Sequence, residues 1–301
     1  MSLRKSLLVS LSLSLVLACG GQEPAGAQFD SESADLTSSN GLSTNGLSTN
    51  GLSTNGLSTN GLSTNGMTSL AFTTWFALNP SANDVVMRYV AKCALPSGQN
   101  LTAKVLGKTY TWPGNLGLLP GWSNNGPLDY NSQQLLSACL GAHLNKYGQN
   151  VNISVRGYDA WGNAVAVTQG EAQAYSVEEA CFYGNLFDGS GIFAAYSVNS
   201  PLIYAGNSSL RACAADDGDW GNCSPAMSNA YSSAQQVCSG GSVSSGYWSC
   251  VHWGVSYRPV CVKLLPSQIN ACGDGICQST ESCYSPLLGT GCEADCGRCA
   301  R

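Results

Sequence analysis

The chain has 301 residues, a formal net charge of −5 and only 10% charged residues, while Asn, Ser, Gly and aromatic residues are abundant. No basic cluster suits a phosphate backbone, which argues against nucleic acid as a partner. Fifteen cysteines against two histidines point to a disulfide framework more than to a histidine-based active site.

Residues 1–18 read as a secretion signal. Arg4 and Lys5 supply the positive start, and the apolar stretch from Leu7 to Leu17 is too short to span a bilayer. Val16-Leu17-Ala18-Cys19 resembles a bacterial lipobox. The resemblance implies that the Cys19 thiol is lipidated, that the bond before it is cut, and that Cys19 becomes the N-terminus. Gly20 in the next position is similar to sorting patterns that favour the outer membrane. With Cys19 set aside fourteen cysteines remain, an even set that can pair completely on an exported chain.

Residues 19–67 read as a disordered tether. Residues 20–40 are rich in Ser, Gly, Ala and acids, and residues 41–65 are five perfect copies of Gly-Leu-Ser-Thr-Asn. One leucine in five builds no core, and Asn-Gly favours turns. A pentapeptide β-helix is the alternative, but five copies make barely more than one coil and leave nothing to stack. As a flexible coil, the segment from Gly20 to Met67 reaches roughly 40 Å.

Residues 68–266 are long enough for one substantial core, and their pattern predicts an α+β, disulfide-rich single body. Ser81 with Asp84 resembles a capping box before Val85, Val86, Tyr89, Val90 and Cys93 at helical spacing. Asn131 with Gln134 opens a second helix whose inner face is Leu135, Leu136, Cys139, Leu140, His143, Leu144 and Tyr147. Both helices turn a cysteine inward, so a Cys93–Cys139 bridge is expected. Leu101 to Leu106 and Thr109 to Trp112 read as a hairpin around Gly107-Lys108, and Val151 to Arg156 and Ala164 to Thr168 as a second one. Ser176 with Glu179 predicts a short helix carrying Cys181, and Ser228 to Cys238 another helix. Tyr247 to Val255 alternates as a strand with Trp248, Cys250 and His252 on one face. The eight cysteines at 93, 139, 181, 213, 223, 238, 250 and 261 allow 105 pairings, among which sequence does not choose.

Residues 271–301 form a small Cys-rich module with six cysteines, too small to fold on an apolar core alone. Cys272-Gly273-Asp274-Gly275-Ile276-Cys277, with Cys283, Cys292, Asp295 and Cys296, resembles a Cys-Gly-Asp-Gly-x-Cys module at the ends of bacterial surface proteins and, more loosely, the calcium-binding Lin-12/Notch repeat. Asp274, Glu281 and Asp295 are the oxygen donors for a candidate calcium site there. The competing reading is an Asx turn at Asp274 and solvated acids. Zinc on the thiolates conflicts with an oxidised, exported setting. Asp216, Asp217 and Asp219 begin like an EF-hand loop, yet Ser228 stands where that loop needs its last carboxylate.

Hydrolytic and phosphate-binding motifs are missing from the sequence. His143 follows Cys139 by four residues, but oxidation would disarm that thiol. The tryptophans at 112, 122, 161, 220, 248 and 253 give the better binding signal, because rings on Gly-, Asn- or Pro-rich loops can stack on a sugar. Trp122, in Pro120-Gly121-Trp122-Ser123-Asn124, is the candidate ligand-binding ring. Segments including Tyr89-Val90-Ala91-Lys92-Cys93, Gly117-Leu118-Leu119-Pro120-Gly121-Trp122, Ser137-Ala138-Cys139-Leu140 and Tyr183-Gly184-Asn185-Leu186-Phe187 resemble, in order, exported Cys-rich proteins of myxobacteria. That resemblance implies secretion and one folded unit, and it carries no catalytic residue. The expected protein is therefore an outer-membrane or cell-surface lipoprotein acting as a binding or envelope-structural component, with polysaccharide or an envelope protein as the candidate partner. The alternative is a hydrolase of polysaccharide or peptidoglycan using Asp129, Asp159, Glu178 or Glu179 near His252.

Overall fold

The strand Val177–Asn185 organises the molecule because both of its faces are apolar. Ala180 and Phe182 point into one core, while Cys181 and Tyr183 point into a second. The computed structural model describes residues 37–40, 70–122, 128–144, 151–198, 207–209, 232–271, 273, 277, 283 and 291–298. They lie within one compact unit, Ala34–Arg301, with an α+β fold rich in disulfides.

The main sheet has six strands in the order Thr37–Asn40, Val151–Gly157, Val260–Leu264, Val177–Asn185, Gly191–Tyr196 and Ser232–Ser233. All neighbours are antiparallel except the last pair, which is parallel. The period of two repeats in its neighbours: Val260, Val262, Ile192 and Ala194 join the first core, and Cys261, Phe193 and Ala195 the second. Helix Tyr130–Ala142 covers the first face at close range, since a Cβ on Gly141 would come within 2.7 Å of Ile192. The second face is closed by Val243, Tyr247 and Tyr257 and by two cross-strand bridges, Cys181–Cys261 and Cys238–Cys250. Burial and neighbouring Tyr257 push the Tyr183 phenol up to about 12, so it stays neutral in this second core.

Several local expectations shift or fail. Helix Pro80–Ala94 is capped by Asn79, whose side chain accepts from the Ala82 N–H at 3.2 Å, and begins with Pro80. Asp84 instead binds Trp112 Nε1 and Arg88. Helix Tyr130–Ala142 is capped by Asp129, two residues before the expected start. The Cys93–Cys139 bridge joins these two helices as expected. The hairpin Asn100–Val105 with Lys108–Pro113 turns at Leu106-Gly107, both at positive φ, one residue earlier than expected.

Residues 176–181 are not helical: Val177 onward belongs to the central strand, which was missed because a segment buried on both faces shows no alternation of polar residues to betray it. Val151–Gly157 forms no ladder with residues 164–168; the return is confined to the strand end, where Ala164 bridges to Tyr158 and the Val165 N–H donates to the Gly157 carbonyl at 2.9 Å. Of the helix expected over 228–238, only Ala234–Val237 is helical among the described residues; Ser232–Ser233 and Cys238–Ser239 on either side are strands, and residues 228–231 lie outside the described residues. Helix Leu70–Leu78 has no helical polar face to announce it, and it buries Phe72, Trp75 and Phe76. Thr37–Asn40, assigned by composition to the tether, pairs instead with Val151–Ser154 as an edge strand. Backbone hydrogen bonds on an open edge need no apolar side chain, so a Ser/Thr segment can satisfy them. Among the described residues no helix is long and apolar enough to cross a membrane.

A buried ion pair sits under the sheet. Arg156 lies 3.3 Å from Glu171, with side-chain exposures of 5% and 1%, and Ser154 bonds to both. Thr168 caps the short helix Gln169–Ala174 that delivers Glu171. Removing one charge strands the other in a medium that solvates it poorly, so Glu171→Gln should lower stability by about 3–5 kcal/mol. Chemical denaturation reads this loss. The double variant Arg156→Met/Glu171→Leu should recover most of it, and an unchanged midpoint for the single variant would show that the pair is solvated.

Candidate functional site

The most exposed rings of the structure stand on tightly held turns. Asp159 organises the first turn: its Oδ1 accepts from the backbone N–H groups of Trp161 and Asn163 at 2.9 and 2.8 Å, and its Oδ2 accepts from the Asn163 amide at 3.0 Å. Gly162 follows at φ +88°, where a Cβ would approach the Trp248 ring to 3.1 Å. The turn therefore rests against Trp248 and presents Trp161, which is 71% exposed.

Trp248 is itself half-exposed and is wedged in place from below. Gly240 lies under it, so near that a Cβ there would meet the Trp248 Cβ at 2.8 Å. The Arg258 guanidinium lies 4.5 Å from its ring centroid and Tyr158 meets it edge-on at 5.0 Å. Arg258 also donates to the Asp159 carbonyl at 3.0 Å, which ties the two turns together. Burial pulls the Arg258 pKa down and the Asp159 charge pulls it back up.

The second turn joins Ser249–His252 to Val255–Tyr257 through Trp253 and Gly254, with φ of +47° and +80°. Such two-residue turns favour Asn, Asp or Gly at the first position, because a Cβ in the left-handed region costs roughly 1–2 kcal/mol. Trp253 occupies it and is 92% exposed. A bulky ring held there contributes nothing to the core, so its exposure is the property that the turn preserves. His252 behind it stacks on Phe193 at 3.8 Å, and burial lowers its pKa, favouring neutral imidazole.

The other residues singled out by sequence fall elsewhere. Cys19, Asp274, Glu281, Trp220 and the acids at 216, 217 and 219 lie outside the described residues. Asp295 accepts from the Gly273 backbone N–H at 2.6 Å, beside the Cys277–Cys296 bridge. Trp122 is not exposed: it is 5% accessible, and its indole N–H has no partner among the described residues. The segment before it hydrogen-bonds to the end of helix Pro80–Ala94, through Leu118 to Cys93 and Leu119 to Ala94, and this draws the following ring inward. Pro-Gly composition marked the turn but not its direction. Trp112 is also buried.

The Cys-His pair is closed to chemistry. His143 Nδ1 lies 3.8 and 3.7 Å from the sulfurs of Cys93 and Cys139, and 2.8 Å from the Cys139 carbonyl oxygen. Those three side chains have the spacing of a metal-binding set, but the sulfurs are bonded to each other and offer no thiolate. The four proposed catalytic acids are dispersed in role. Asp129 caps a helix, Asp159 builds the tryptophan turn, Glu179 is buried, and Glu178 accepts from Ser197 and Ser244 at 2.6 Å each. None bonds to His252 among the described residues. Lys263 donates to Ser244 at 3.0 Å, an arrangement the sequence did not reveal. That hydroxyl in turn donates a hydrogen bond to Glu178, so the three groups tie strands to a turn and do not form a lysine-activated nucleophile.

Residues 38–71 match a family model described as GLTT repeat, in six copies. The chain carries this repeat. It covers about a ninth of the length, starting within strand Thr37–Asn40 and ending in helix Leu70–Leu78. No curated protein and no solved structure matches the chain.

Proposed function

We propose that this protein is an exported lipoprotein, anchored through Cys19 to the outer membrane or cell surface, that binds polysaccharide through an aromatic surface. The observation that carries the reading is the set Trp161, Trp248 and Trp253, two of them strongly exposed, held in place by hydrogen bonds, close-approaching glycines and a nearby bridge. Flat rings on a weakly charged surface suit neutral sugar faces, whose C–H groups need apolar contact while their hydroxyls need water nearby. The disulfides support an oxidising compartment. The hydrolase reading has less support, because the acids it needs are engaged separately: Asp129 caps a helix, Asp159 holds the Trp161 turn and Glu178 accepts from two serine hydroxyls, whereas such chemistry needs two carboxyl groups roughly 5–10 Å apart on a concave surface.

Co-sedimentation with insoluble cellulose, chitin and peptidoglycan, with released reducing sugar assayed in parallel, tests this reading. Retention without sugar release is the expected outcome. A sugar covering about a third of the roughly 150–250 Å² that an aromatic side chain can bury, at about 25 cal/mol per Å², contributes ~1–2 kcal/mol. Trp161→Ala should therefore weaken retention roughly tenfold. Trp253→Asn should weaken it similarly while raising the melting temperature, since Asn accepts the left-handed turn. Loss of retention on no polymer for any variant would overturn the aromatic-surface reading, and sugar release would replace it with hydrolysis.

A further inference from the structure

Away from the tryptophan turns, a cleft of about 650 Å³ opens between helix Pro80–Ala94 and strand Lys108–Pro113. Its helical wall is set by spacing: Asp84, Arg88 and Lys92 recur every four residues and so share one face, with Tyr89 beside them. The opposing strand contributes Lys108 and Tyr110. Three cations thus meet one carboxylate, in a chain whose formal charge is −5.

The single acid is already committed. Asp84 Oδ1 accepts from Trp112 Nε1 at 2.7 Å, and Oδ2 accepts from Arg88 at 2.6 Å. The carboxylate acts as a bracket that holds Arg88 at the cleft, and the indole bond fixes the bracket to the core. The aromatic walls are equally fixed. Tyr110 stacks on Trp112 at 5.9 Å and meets Phe76 edge-on at 4.7 Å, and Lys108 Nζ lies 4.7 Å above the Tyr110 ring. Lys92 Nζ lies 5.0 Å from the Tyr89 ring, and burial lowers its pKa, so an incoming negative charge would recover what desolvation removes.

We infer that this cleft binds an acidic sugar chain, with its carboxylates on Arg88, Lys92 and Lys108 and its ring faces against Tyr89 and Tyr110. The volume falls in the range of small-ligand sites, and the cations lining the cleft give it a local positive field that attracts anions. A neutral polymer gains nothing from three lysine and arginine heads.

The test uses the full-length protein and oligogalacturonate as probe, with uncharged oligogalactose of equal length as the comparison, titrated calorimetrically. The wild type should bind the acidic chain at least tenfold more tightly, and the preference should shrink as salt rises. Arg88→Gln/Lys108→Gln should lose at least tenfold for the acidic chain. Lys104→Gln, which changes charge on the same hairpin outside the cleft, should lose less than twofold. Circular dichroism confirms that each variant is folded. Equal affinity for the two chains, or equal loss in the cleft variant and the Lys104 variant, overturns the inference. Trp161→Ala should leave this binding intact, so failure here and failure of the tryptophan surface are separately visible.

Discussion

Replacing Cys19 by alanine is expected to move the protein from the membrane fraction to the soluble fraction. Each buried methylene of an attached acyl chain contributes roughly 0.8 kcal/mol, so a multiply acylated N-terminus holds firmly where a bare one does not hold at all. The same substitution should abolish processing that is sensitive to inhibition of lipoprotein signal peptidase. Cell fractionation and gel mobility read both effects. Continued membrane association of the alanine variant would sink the anchor. The cysteine arithmetic gives a second, independent readout: if Cys19 is lipidated and the other fourteen are paired, the denatured mature protein should contain no titratable thiol.

The second large effect is expected at the bridge between the two main helices. Cys93 and Cys139 are both fully buried, and their bond closes a separation of 46 residues. Chain-entropy reasoning gives about 4 kcal/mol for a loop of that size. In a body of this length that corresponds to a drop of roughly 8–16 °C in melting temperature for Cys93→Ala/Cys139→Ala. The bond also sits beside buried His143, whose Nδ1 is held by the Cys139 carbonyl, so the variant leaves small voids around a polar ring. Differential scanning calorimetry measures the change. A melting temperature within two or so degrees of wild type, by the same scaling, would mean that packing between the helices suffices without the bridge.

This bridge was legible because two segments with apolar residues at helical spacing each place one cysteine among them. The hairpin Asn100–Val105 with Lys108–Pro113 was legible for a related reason, alternation broken by a glycine, and its turn was misplaced by one residue because Leu106 is an unusual occupant of a left-handed position. Local pattern failed where both faces of an element are buried. Strand Val177–Asn185 has no polar side to reveal its period, and helix Leu70–Leu78 is nearly apolar all round. It failed again for Val151–Gly157, whose partner Val260–Leu264 lies more than a hundred residues away. The tryptophans were named as binding candidates from composition, but their order of exposure was reversed: Trp122 is buried, while Trp161 and Trp253 face solvent.

The sequence by itself determined the repeat, the parity of the cysteines, the two helices that carry Cys93 and Cys139, and the low density of charge with its acidic excess, because each of these is a local or compositional property. Only the tertiary structure decided which rings point outward and which cations converge on one cleft. Side-chain direction depends on what packs beneath it: the backbone of Leu118 and Leu119 tethered to a helix end draws Trp122 in, and the Asp159 turn leaning on Trp248 holds Trp161 out. Those contacts join segments far apart in the chain, and no local pattern encodes them.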